Sequence, residues 1–167
     1  GPYAGNTTLT GTGGNTGVGI QTLQSLTSGS GNTAFGYQTI ILNPNANGNS
    51  AFGYQALKGS GTAAGASNSA FGYQALTNVS TGSNNNGFGQ AAGANISTGI
   101  GNNAFGYQAL GNVTSGRYNI GFGEDSGLNI TSSSFNSALG YRSLYYNTTG
   151  SLNTALGYNA GVGDGLT

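Results

Sequence analysis

One aromatic-marked unit recurs along this chain, and it constrains the fold more than any other feature. The segment Asn32-Thr33-Ala34-Phe35-Gly36-Tyr37-Gln38 returns as Asn49-Ser50-Ala51-Phe52-Gly53-Tyr54-Gln55, again from Asn68 to Gln74, and again from Asn102 to Gln108. With degenerate copies included, the large apolar marker of each unit is Val18, Phe35, Phe52, Phe71, Phe88, Phe105, Phe122, Leu139 and Leu156. The spacing is 17 residues throughout, except for 19 between Phe52 and Phe71. Three residues before the marker stands Asn in every copy: Asn15, Asn32, Asn49, Asn68, Asn85, Asn102, Asn119, Asn136 and Asn153. Ala or Gly precedes the marker and Gly follows it, from Gly19 to Gly157. Two residues after it comes Tyr37, Tyr54, Tyr73, Tyr107, Tyr141 or Tyr158, with Ile20, Gln90 and Glu124 as exceptions.

A 17-residue unit is too short for a helix pair, and this one has no helical apolar stripe. It has short alternating runs, Thr33, Phe35 and Tyr37 against Ala34, Gly36 and Gln38, bounded by Gly, Asn and Ser, which accept tight-turn backbone angles. The expected fold is therefore all-β, a parallel β-solenoid of about nine coils of 17 residues, each coil holding two strands of about five residues and two turns. Residues 15–161 form the solenoid, 1–14 an irregular N-terminal capping segment and 162–167 a C-terminal tail. Coils about 4.8 Å apart place identical residues directly above one another and give a rod roughly 40 Å long. On this reading the marker column from Val18 to Leu156 is a continuous, mostly aromatic core. The Asn column is a side-chain ladder closing a turn, and the Gly column is a bend or a close backbone approach.

The composition removes most chemistry. Of 167 residues 34 are Gly, and there is no Cys, His, Met or Trp, so thiolate and imidazole ligands, disulfides and the commonest general base are missing. No catalytic, cofactor or metal site is expected, and the chain reads as non-enzymatic. Its charged residues are Lys58, Arg117, Arg142, Glu124, Asp125 and Asp164, too few and too scattered for a nucleic-acid groove or an anionic membrane surface. No apolar run approaches the roughly 20 residues that span a bilayer, so no membrane insertion by this segment is expected. Each coil carries few large apolar side chains against the backbone entropy of ordering it, so a shared interface is expected. The Tyr column beside the Ala and Gly column is the surface this points to.

At Ala51-Phe52-Gly53-Tyr54-Gln55-Ala56 the chain resembles the head repeat of YadA-like trimeric autotransporter adhesins, in which Ala, an aliphatic residue, Gly, a variable pair and Ala recur in every coil. It is similar also to the Asn-Thr-Ala-Ile-Gly-Tyr-type repeats upstream of endosialidase-chaperone domains in phage and algal-virus fibre proteins. The resemblance covers roughly Asn15 to Gly161. It implies a left-handed parallel β-roll, three chains side by side, displayed on a cell or virion surface. Two departures stand out: Phe replaces Ile in most coils, and the period of 17 exceeds that of the adhesin coil.

Several constellations invite a more local function. Asn6, Asn78, Asn95, Asn112, Asn129 and Asn147 each begin an Asn-X-Ser/Thr acceptor pattern, which reads either as glycan attachment or as Asn suiting a turn that Ser or Thr caps. Glu124-Asp125 is the sole carboxylate pair, with Arg117 nearby, but neighbours in a strand point to opposite faces, so a solvated variant of the coil is the expected reading. The Tyr column offers rings on which sugars could stack, or a ladder packed within or between chains. Tyr118 and Tyr145-Tyr146 fall outside it and mark a local contact better. A Thr and Ser row at Thr16, Thr33, Ser50, Ser69, Ser137 and Thr154 has the look of an ice-binding face, but Asn86, Asn103 and Ile120 break it. Irregular stretches at Ile41–Asn45 and Gly59–Gly65 are where coils differ most. The functional expectation is an extracellular structural and adhesive fibre, an adhesin head or viral fibre segment, assembling as a homo-oligomer and meeting a host-surface glycan or matrix protein. The alternatives are a self-assembling filament subunit, whose open coil ends stack on one another, and a carbohydrate-binding receptor module.

Overall fold

The computed structural model describes residues 13–42, 44–60 and 65–161. The tail 162–167, nearly all of the expected capping segment 1–14 and the Asn6 acceptor lie outside the described residues.

Nine strands of three residues follow in chain order: β1 (Thr16–Val18), β2 (Thr33–Phe35), β3 (Ser50–Phe52), β4 (Ser69–Phe71), β5 (Asn86–Phe88), β6 (Asn103–Phe105), β7 (Ile120–Phe122), β8 (Ser137–Leu139) and β9 (Thr154–Leu156). They form one parallel sheet, each strand paired with the next. The register joins like to like: Thr33 with Ser50, Ala34 with Ala51, Phe35 with Phe52. The molecule is an all-β solenoid with the repeat as its coil, and no helix occurs among the described residues. The longer copy keeps this register, Ser50 facing Ser69. Ser60 still bonds to Val79 and Gly65 still abuts Gly82, so the two extra residues sit between Ser60 and Gly65.

The strands are shorter than the alternation predicts, and there is one per coil rather than two. The Gly after each marker ends the extended run. Gly72 has φ +136, and a Cβ there would lie 2.6 Å from the carbonyl oxygen of Gly89 in the next coil. No L side chain fits that conformation or that gap. Three and five residues after the marker the backbone turns left-handed again, as at Gln38 (φ 54°) and Ile40 (φ 50°). Coil-to-coil bonding nevertheless continues through these corners, with Gly36 N–H donating to Val18 and Gln38 N–H to Ile20. Outside the strands, the described residues form two isolated bridges, Asn47 to Ala66 and Ser83 to Ile100.

The core corrects the sequence expectation. Val18, Phe35, Phe52, Phe71, Phe88, Phe105, Phe122, Leu139 and Leu156 do form a ladder, but none of them is buried; Val18 is 53% exposed, Phe122 59% and Leu156 78%. The interior is filled instead by the residue before the marker (Ala34, Ala51, Ala70, Ala104), by the residue five after it (Leu23, Ile40, Leu57, Leu76, Leu110, Leu144), and by the residue eight after it (Leu26, Val79, Ile96, Val113, Ile130). The cause is parity. Along a strand alternate side chains face opposite ways, and Asn at −3 and Ala at −1 both point inward, which sends the marker out. A coil this narrow has room for a methyl at that wall; the Cβ of Ala already fills it.

The Asn column is a ladder as expected. Asn32, Asn49, Asn68, Asn85, Asn102, Asn119 and Asn136 are completely buried. The Oδ1 of Asn85 accepts the backbone N–H of Asn102 at 2.9 Å and its Nδ2 at 3.1 Å, and Asn85 Nδ2 donates to the carbonyl of Gly99 at 2.9 Å. The same three bonds recur from coil to coil, for instance between Asn102, Asn119 and Gly116. Each amide thus ties its own coil shut and hangs the next one on it, leaving few polar atoms unsatisfied in the interior.

Candidate functional site

The outer side of the strands carries the feature most in need of a purpose. Phe35, Phe52, Phe71, Phe88 and Phe105 stack ring on ring with centroids 4.7–5.0 Å apart and interplanar angles of 6–11°. The stack loosens at Phe122, 5.7 Å from Phe105 and tilted by 32°. With Val18, Leu139 and Leu156 at its ends, the column is an unbroken apolar stripe along all nine strands. Such a stripe, half-buried at its central rings and exposed at its ends, is a candidate contact surface on a chain of so few charges.

Two residues farther on runs the Tyr column. Tyr37, Tyr54 and Tyr73 stack with centroids 5.2 and 5.1 Å apart and planes within 13° of parallel; Tyr141 and Tyr158 form a similar pair at 5.2 Å. Stacking covers the facing sides of these rings, whereas Tyr107, between Gln90 and Glu124 in the column, is exposed and has no ring stacked on it among the described residues. The Ala and Gly column expected beside it at an interface is interior, and the Phe stripe is the apolar column that faces outward.

A second departure widens the stripe at one end. Four residues before the marker the backbone is left-handed in every described copy after the first strand, and Gly31, Gly48 and Gly101 hold that position in three of them. In the last three coils it holds Tyr118 (φ 54°), Phe135 (φ 61°) and Leu152 (φ 62°). Bulky residues avoid this region of backbone space. All three are exposed, at 53, 54 and 79%, and Tyr118 stacks on Phe135 at 5.4 Å. Tyr118, Ile120 and Phe122 alternate with the buried Asn119 and Gly121, so they extend the outer surface of the same segment.

The acceptor asparagines divide in two. Asn78, Asn95, Asn112 and Asn129 all stand seven residues after their markers. They form an amide ladder, Asn78 Nδ2 donating to Asn95 Oδ1 at 2.9 Å and Asn95 to Asn112 at 3.3 Å, with Asn78 and Asn95 exposed. Asn147 stands eight after Leu139, in the column of Val79, Ile96, Val113 and Ile130, and is buried. Its Nδ2 donates to the Gly150 carbonyl and its Oδ1 accepts the Gly150 N–H, at 2.9 and 2.8 Å. A glycan on Asn147 is therefore incompatible with the fold, which corrects the sequence reading at that position.

The acidic pair is also placed differently from its expectation. Asp125 is buried rather than solvated, and its partner is Arg142, one repeat later, with Nε 3.2 Å from Asp125 Oδ2. Both occupy the column three after the marker, where Gln38 donates to Gln21 and Gln55 to Gln38 at 2.7 and 2.8 Å. The ion pair is the charged form of that amide ladder. The hydrogen bond to Asp125 is the main cause that holds the Arg142 pKa above its ordinary value; burial, next in size, opposes it, and the charges of Tyr141, Asp125 and Tyr145 add to the rise. Glu124 is exposed.

Among the irregular stretches, Ile41 is buried and Leu42 exposed, and the Pro44 carbonyl accepts the N–H of Thr27 at 2.7 Å; residues 61–64 lie outside the described residues. Among the described residues no group of His, Cys, Asp or Glu side chains clusters as metal ligands would. Compared with protein-family models, curated proteins and solved structures, the chain matches none of them.

Proposed function

We propose that this chain is a non-enzymatic, extracellular structural and adhesive fibre segment, a stiff rod that associates side by side with copies of itself through the Phe stripe. The observation that carries the reading is the half-buried, outward-facing ladder Phe35–Phe52–Phe71–Phe88–Phe105, regular at 4.7–5.0 Å. A partner must offer apolar groups at that same interval to pack without gaps, and a second copy of the chain does so by construction. No charged residue lies in any of the nine strands, so copies meet there without desolvating an ion. Tyr118, Phe135 and Leu152, held in unfavourable backbone conformations, add apolar area to one end of the surface. The YadA-like resemblance supports three chains per rod.

In this arrangement the backbone ladders resist unfolding and proteolysis, and repetition offers a host-surface glycan or matrix protein the same contact many times. Negative-stain electron microscopy with light scattering tests the reading. Discrete short particles of several chains are expected. Long regular threads would favour the filament reading instead, and a lone chain at tens of micromolar would remove both.

A further inference from the structure

We infer that coil eight carries a local binding site for a neutral sugar ring, formed by Arg142, Tyr145, Tyr146 and Asn159. These four residues line an open pocket of about 90 Å³. That accommodates one edge or one substituent of a pyranose, the remainder lying on the rim.

The pocket exists because coil eight departs from the repeat in adjoining places. Arg142 stands where five of the seven earlier coils have Gln (Gln21, Gln38, Gln55, Gln74 and Gln108), and Tyr146 replaces the acceptor Asn of Asn78, Asn95, Asn112 and Asn129. Tyr145 adds an aromatic where the preceding copies have Thr77, Ala94, Gly111 and Leu128. The guanidinium lies over the rings of Tyr141 and Tyr145, 5.2 and 4.9 Å from their centroids. Its Nε–H is taken by Asp125, which leaves the four N–H groups of its terminal nitrogens without a hydrogen-bond partner among the described residues. Tyr145 and Tyr146 meet at 84° with centroids 4.9 Å apart. The pair is a corner, unlike the closed Tyr37–Tyr54–Tyr73 stack, and Tyr146 is 60% exposed. An open aromatic ring beside fixed, planar hydrogen-bond donors suits a ligand that is apolar on one face and hydroxylated at its edge.

Charge selects the class. Asp125 already neutralises Arg142, and Glu124 adds a further negative charge nearby in the chain, so an anionic ligand gains little. A neutral hexopyranose gains the donors and the ring at no electrostatic disadvantage. The site is distinct from the Phe stripe, and its occupation does not depend on side-by-side association.

The test is a titration of the whole chain with methyl glycosides of glucose, galactose and N-acetylglucosamine, and with glucuronic acid, followed by the NMR signal of Arg142 Nε–H and by ligand saturation transfer. At least one neutral glycoside is expected to bind with a dissociation constant of the order of millimolar and to shift Arg142. Tyr146→Asn restores the residue of the repeat and is expected to keep the parent circular dichroism and melting temperature; Arg142→Gln removes the charge paired with buried Asp125 and is expected to keep the parent circular dichroism but melt lower; in both, binding falls about tenfold or more. Failure of every neutral glycoside to bind, tighter binding of glucuronic acid, or unchanged affinity in both folded variants would each overturn the proposal.

Discussion

Asn85 is the residue on which the coil's logic is easiest to test. Its side chain satisfies the N–H and Nδ2 of Asn102 and the carbonyl of Gly99, all within the interior. Asn85→Ala strands those groups where no water reaches them, and each buried unsatisfied group costs about 1–3 kcal/mol. The variant is expected to lose about 3 kcal/mol or more in urea denaturation, whereas Asn78→Ala, in the exposed ladder, should lose less than about 0.5 kcal/mol. A second residue-scale contrast concerns glycans. Expressed through a eukaryotic secretory pathway, folded protein is expected to carry none at Asn147, and peptide mass mapping checks this. Carbohydrate found there in a chain with native circular dichroism would contradict the buried position. The distinction was present in the sequence as a shift of one residue, Asn147 standing eight rather than seven after its marker. A motif search that ignores the repeat's frame does not register it.

At the scale of the element, period, register, the Asn ladder and the Gly column could all be read from the chain, because a translational repeat imposes them whatever the cross-section. Which face points inward could not be read from hydrophobicity alone. Ranking by apolar character puts Phe35 inside and Ala34 out, while the wall that the strand lines has space only for Ala. The buried Asn32 settles the matter, since it shares parity with Ala34 and opposes Phe35. The Asp125–Arg142 pair was hidden for a related reason: sequence proximity pointed to Arg117, but in a solenoid the neighbour of a residue is 17 positions away. Two substitutions test the element. Gly72→Ala forces a Cβ against the Gly89 carbonyl at a φ of +136°, so a loss above about 3 kcal/mol or outright misfolding is expected. Phe135→Gly relieves a left-handed aromatic and forfeits its stacking on Tyr118, two effects of about 1 kcal/mol each and opposite sign. The dilute chain is expected to melt within about 1 kcal/mol of the parent while its association weakens, as read by urea denaturation and light scattering on the same samples.

The molecule as a whole has an interior of Ala, Leu and Asn and an outer stripe of Phe, through which the proposed association runs. The measurement that tests this division most directly is the light-scattering mass of the parent and of a Phe71→Asn/Phe88→Asn variant, with circular dichroism on both. The parent is expected near three times the 16.4 kDa chain mass, and the variant as a folded single chain with parent-like dichroism. A parent that runs as one chain at tens of micromolar, or a variant that loses its fold as removal of two core Phe side chains would require, would contradict it.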